Sequence, residues 1–248
     1  MKLANRIALV TGATTGIGLA TAKLFRDEGA QVIATGVNPQ RLADASRELG
    51  PDVLVLPADL RRRDEARRLI ETIRERYGRL DILVANAGIG LAAPLEAVTE
   101  EQIDEQFSVN VKGVFFAVQS AVPLLSSGAS IVMTTSFLNE KGTPGLSILS
   151  ATKAAVRSLA RSFGAELAPR NIRVNAVSPG PISTPFHSKL GLSEAQLQET
   201  GAAIEAQIPL RRFGKADEIA AAILFLAGSD SSFVTGTELV ADGGLTQL

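Results

Sequence analysis

The chain has 248 residues, 46% hydrophobic and 21% charged, with one histidine, no cysteine and a net charge of −1. That length buries a substantial core, and that composition excludes a disordered chain. Disulfide and thiolate chemistry are excluded, and one histidine argues against a resident transition metal. The near-zero charge gives no electrostatic reason to expect nucleic acid or an anionic membrane as partner.

Taken in order, the chain opens on "MKLANRIALVTG", where one short apolar run, Ile7–Val10, leads straight into glycines. That run is too short for a secretory signal. No run approaches the roughly 18 apolar residues of a membrane span. The expectation is a soluble cytoplasmic protein.

Strands are predicted at Ile7–Thr11, Gln31–Thr35, Val53–Pro57, Ile82–Ala85, Ser130–Thr135, Arg173–Val177 and Thr237–Val240. Each is short and apolar, as strands covered on both faces are. Helical periods lie between them. Ala66, Leu69, Ile70 and Ile73 form one stripe; Ile103, Phe107, Val111, Val114 and Val118 form another. Alternation of this kind predicts a Rossmann-type α/β fold: one domain, a parallel doubly wound sheet, helices on both faces. The run "RRRDEARR" (Arg61–Arg68) reads as a solvated helix face with Arg61/Glu65 and Asp64/Arg68 as i, i+4 pairs. The rhythm breaks from Pro179 to about Pro209, and residues 181–209 are expected to form a lid over a binding site.

"IALVTGATTGIGLATAKLF" runs from a strand through Gly12, Gly16 and Gly18 into a helix. Glycine allows backbone to approach a ligand closely, and the helix start offers free N–H groups and a positive dipole end. At the first strand of an alternating chain this predicts a dinucleotide pyrophosphate site. An acid at the end of the second strand would select NAD by binding the ribose 2′-hydroxyl. The segment "VIATGVNPQ" has Gly36 and Val37 there instead, with no acid and no arginine. Thr14, Thr15 and Asn38 offer hydrogen bonds to a phosphate, which tips the balance slightly to NADP(H) over NAD(H).

With these motifs the chain resembles the short-chain dehydrogenase/reductase family over essentially its whole length. "TGATTGIG" (Thr11–Gly18) matches the family's glycine loop, and "ANAG" (Ala85–Gly88) its signature after the fourth strand. "RVNAVSPGPISTP" (Arg173–Pro185) and the closing "DGG" (Asp242–Gly244) match as well. The resemblance implies cofactor contacts from the loop residues Gly12, Thr14, Thr15, Gly16, Ile17 and Gly18, and from Val37 and Asn38. It implies that Asp59, beside Leu60, holds the adenine. Asn86, Ala87, Gly88, Pro179, Gly180, Ile182 and Thr184 then lie along the cofactor toward the nicotinamide. Asn110, Ser136 and Lys153 match the family's catalytic asparagine, serine and lysine. Lys153 would hold the nicotinamide ribose, supported by Asn110 directly or through water. A homotetramer and a small carbonyl or alcohol substrate are implied too.

The resemblance also implies a tyrosine that gives or takes a proton, four residues before the lysine and thirteen after the serine. Both counts reach Leu149. A free phenol titrates near 10, so work near neutrality means stabilising its anion by roughly 4 kcal/mol, partly through the lysine one turn away. Leucine has no proton to give. The sole tyrosine, Tyr77, ends a helix elsewhere, and His187 in the lid is the one alternative donor near pH 7. Three readings stay open: an oxidoreductase with weakened or replaced acid catalysis, a non-catalytic dinucleotide-binding sensor, or an enzyme into which leucine was introduced. The lid apolar residues Ile182, Phe186 and Leu190, with Leu149, predict an apolar substrate side.

Overall fold

The computed structural model describes residues 1–184 and 194–248. Among them, seven strands form one parallel sheet: β1 (Ile7–Val10), β2 (Gln31–Gly36), β3 (Leu54–Pro57), β4 (Leu80–Ala85), β5 (Leu125–Thr134), β6 (Arg173–Pro179) and β9 (Glu238–Ala241). Their order is β3-β2-β1-β4-β5-β6-β9. All seven predicted strands are present, with β4 and β5 starting earlier than the apolar patterning implied.

The helices α1 (Gly16–Asp27), α2 (Pro39–Leu49), α3 (Arg63–Tyr77), α4 (Glu100–Phe107), α5 (Val114–Ala121), α6 (Ser147–Leu167), α7 (Glu194–Gln207) and α8 (Ala216–Ala227) complete the fold. Two apolar cores result. One packs α3, α5 and α6 on Leu9, Leu83 and Ile131; the other packs α1 and α8 on Val10, Val84 and Val132. Alternate residues of the same strands feed the two layers, because side chains switch faces at every residue. The strand order reverses between β1 and β4, and the loops leaving their C-terminal ends diverge there into a crevice.

Two local expectations are corrected. α4 and α5 are joined by a π turn, Ser108–Gly113, whose wider winding breaks the predicted stripe. Val114 and Val118 are buried while Ile103 and Phe107 remain exposed. The combined helical run Glu100–Leu124 is long and apolar enough to cross a membrane by length and composition. In this fold its Val114, Ala117, Val118 and Ala121 pack into the core. Arg61 precedes α3 rather than belonging to it, so no Arg61/Glu65 helical pair forms. Arg61 instead grips Asp59, and Glu65 accepts the Asp59 N–H at 2.7 Å. Within the predicted lid, β7 (Ile182–Ser183) pairs with β8 (Gly214–Lys215), and α7 follows. Phe186, His187 and Leu190 lie outside the described residues.

Candidate active site

A cavity of about 680 Å³ opens at the C-terminal ends of the strands. Its wall includes Gly12, Thr14, Thr15, Gly16, Ile17, Gly18, Val37, Asn38, Asp59, Leu60, Asn86, Ala87, Gly88, Ser136, Leu149, Lys153, Pro179, Gly180, Ile182 and Thr184. Thus the residues singled out for the cofactor line one space together with Ser136, Leu149 and Lys153; Asn110 does not line it, and His187 lies outside the described residues.

At one end lies the start of α1. Thr15 occupies the N-cap but gives no side-chain cap, and the first turn holds no acid. The leading N–H groups therefore remain available to an anion. This donor set fits a pyrophosphate. Asn86 ties the loop down: its side-chain nitrogen donates to Thr11 O at 3.0 Å and Gly12 O at 3.3 Å. Its oxygen accepts from the Thr134 hydroxyl at 3.4 Å, so one amide stitches the glycine loop to β5.

Further along, Arg61 grips the Asp59 carboxylate with two nitrogens, at 2.8 and 2.7 Å. The hydrogen bonds from Arg61 hold that carboxyl below its ordinary range. Asn38 caps α2, accepting from the Arg41 N–H at 2.9 Å. Toward a phosphate, which only accepts, its NH₂ is the group that can donate. Arg41 also lines this end. It stands on α2, beyond the strand-end positions that carry the usual selectivity signal.

The opposite end is built by β5 and α6. Ser136 follows β5, and its hydroxyl accepts from the Leu138 N–H at 3.3 Å. Lys153, on α6, donates to the Thr134 carbonyl at 2.8 Å. Burial pulls the pKa of its ammonium down to about 8. Leu149 sits one turn before Lys153, 3% exposed, so this wall is apolar where a proton donor would stand. Tyr77 packs against the core cluster and its ring meets Arg76, away from the cavity.

Asn110 is not among the residues that line the cavity. Buried in the π turn, it donates to Ile89 O at 2.9 Å and the Thr152 hydroxyl at 3.0 Å, and accepts from the Ile89 N–H at 2.8 Å. It makes no hydrogen bond to Lys153 among the described residues. Both side chains instead crowd Gly88: a Cβ there would stand 3.3 Å from Asn110 Oδ1 and 3.5 Å from Lys153 Nζ.

Comparison with known proteins agrees with this geometry. A family model described as enoyl-(acyl carrier protein) reductase matches residues 12–246. The chain is 41% identical over 250 residues to oxidoreductase asL5 of Sarocladium schorii, covering 100% of this chain and 98% of that one. It is also 41% identical over 254 residues to a 3-oxoacyl-[acyl-carrier-protein] reductase of Thermotoga maritima, covering 99% of each. A crystal structure of a short-chain type dehydrogenase/reductase from Mycobacterium marinum superposes with a TM-score of 0.91 at 33% identity, covering 100% of this chain and 98% of that one. With the cavity, its loop and these relatives in agreement, the chain belongs to the short-chain dehydrogenase/reductase family and is an oxidoreductase that binds a nicotinamide dinucleotide.

Proposed function

We propose that the protein is an NADP(H)-dependent oxidoreductase for a small carbonyl or alcohol substrate, with its proton-transfer step weakened at Leu149. The observation that carries this reading is the single cavity in which the α1 start, Ser136 and Lys153 face one another. When bound, the nicotinamide supplies or accepts the hydride. The chain's own residues do the rest. The α1 N–H groups hold the pyrophosphate, Lys153 orients the ribose, and the Ser136 hydroxyl polarises the substrate oxygen. The name of the Thermotoga maritima relative, a 3-oxoacyl reductase, supports a carbonyl substrate.

NADP(H) is favoured by two features at the end of β2. A Cβ on Gly36 would lie 2.6 Å from Thr14 Cγ2, so an acid at position 36 would collide with the threonine. Arg41 makes no ion pair among the described residues and faces the same wall, a free cation for a 2′-phosphate. Arg41→Ala is expected to weaken NADPH binding about tenfold and leave NADH within twofold, a charge-assisted contact being the only one lost. Nucleotide fluorescence titration reads both. An equal loss for the two nucleotides would refute the selectivity argument.

The decisive experiment is titration with NADPH and NADH, followed by turnover on a panel of ketones and alcohols. Steady NADPH oxidation supports the enzyme. Tight binding without turnover on any member favours the sensor reading, for which buried Leu149 is the motivating feature. Failure to bind either nucleotide at millimolar concentration sinks both. The reading includes a cytoplasmic homotetramer by family resemblance, and sedimentation of the purified chain tests the assembly.

A further inference from the structure

We infer that Glu238, on the edge strand β9, is a positioning residue that sets Ser136 and Lys153 against each other. Its side chain is 8% exposed, which is uncommon for a carboxylate and calls for partners. Three are present, and they come from both elements of the site.

Asn139 donates to the two carboxylate oxygens at 3.0 and 3.1 Å. The Thr135 hydroxyl, with one proton to give, lies within reach of one of the same oxygens and of the Val177 carbonyl, the latter at 2.9 Å. Thr135 and Asn139 bracket the short turn that begins at Ser136. Within it, the Asn139 N–H donates to the Ser136 carbonyl at 3.1 Å. Glu238 therefore grips that turn from both sides. On its far side stands Arg157, 13% exposed, with Nε at 3.4 Å from the carboxylate and Nη1 donating to Gly236 O at 3.0 Å.

Arg157 lies one helical turn beyond Lys153 on α6, so both project from one side of the helix. One carboxylate thus connects the serine turn to the lysine helix through β9. A core that served packing alone would be more stable with apolar residues here, since burying a charge is costly even when it is paired. What the pair adds is direction. Hydrogen bonds fix the turn and the helix to one point, where apolar contacts would let them slide.

Glu238→Gln tests this with little change in volume. The amide still accepts from Asn139 or Thr135 but loses the charge that holds Arg157. Because the kinetic part rests on the proposed oxidoreductase reading, a second measurement is independent of turnover. In hydrogen exchange by mass spectrometry, residues 134–141 and the first turns of α6 are expected to exchange at least fivefold faster, with β1 and β4 unchanged. In turnover, kcat is expected to fall about tenfold while KM and nucleotide affinity stay within twofold, as loss of alignment predicts. Arg157→Lys, which keeps the charge, should retain at least half of kcat.

Unchanged exchange over 134–141 overturns the inference whether or not the protein turns over any substrate. So does a parallel loss of nucleotide affinity, KM and melting temperature, which would mark general destabilisation. A wild-type protein that binds no nucleotide overturns the oxidoreductase reading instead and leaves the exchange result to decide the brace.

Discussion

Leu149→Tyr is expected to raise carbonyl reduction at least tenfold. A phenol at this position projects from α6 into the cavity that leucine now lines, one turn before Lys153. The lysine ammonium, which burial has drawn down to about 8, stabilises a phenolate placed beside it and so lowers the phenol's own titration. A positioned general acid contributes about 10²–10⁴ in rate, and a wall shaped around leucine is expected to recover only part of that. The exchange costs some packing, since burying a leucine side chain contributes about 1.5–3 kcal/mol and a larger ring strains its neighbours by about 1–3 kcal/mol. Steady-state NADPH oxidation on the ketone panel reads the gain, and thermal unfolding reads the cost. Lys153→Met in the same background should erase most of the gain. If the tyrosine variant binds nucleotide normally and gains nothing on any ketone, proton delivery is not what limits the protein.

The second large effect is expected at the glycine loop. A Cβ on Gly18 would stand 2.3 Å from the Gly12 carbonyl oxygen and 2.6 Å from Asn86 Nδ2. Neither obstacle is the free end of a flexible side chain. One is loop backbone, and the other is the amide that ties that loop to β5. Gly18→Ala should therefore weaken nucleotide binding at least a hundredfold and destabilise the fold by about 1–3 kcal/mol, the ordinary range for overpacking. Gly201→Ala is the matched control, because a Cβ there meets nothing within 4 Å and Gly201 is not among the residues that line the cavity. Fluorescence titration and thermal unfolding of the two variants separate a loop effect from a general one. Normal nucleotide affinity in Gly18→Ala would remove the loop from the binding site.

Much of this arrangement is legible in the sequence because it depends on local rules. Buried parallel strands read as short apolar runs, and a strand, three glycines and a helix start read as an anion site. These signals place seven strands and bring Gly12 through Gly18, Ser136 and Lys153 to one cavity. What escaped depends on three dimensions. The π turn has no compositional marker, so Ile103 and Phe107 were expected on the buried stripe and stand outside it. Arg61 looked helical from its spacing to Glu65, but Asp59 offered it a bidentate partner just before the helix begins. The partners of Asn110, Ile89 and Thr152, follow from the π turn, which composition does not mark. Glu238 and Arg157 are 81 residues apart in the chain and meet only because β9 lies beside β6 at the sheet edge.

The contact between Thr14 and Gly36 also makes any acid at position 36 depend on the residue at position 14. An acid introduced at position 36 alone would drive its own first carbon into the threonine methyl, and the damage would mask any gained preference for the unphosphorylated ribose. Trimming position 14 alone would open a hollow with nothing to recognise a hydroxyl. At position 36 the route toward the unphosphorylated ribose is the double change, and each single step along it is expected to be the less fit intermediate.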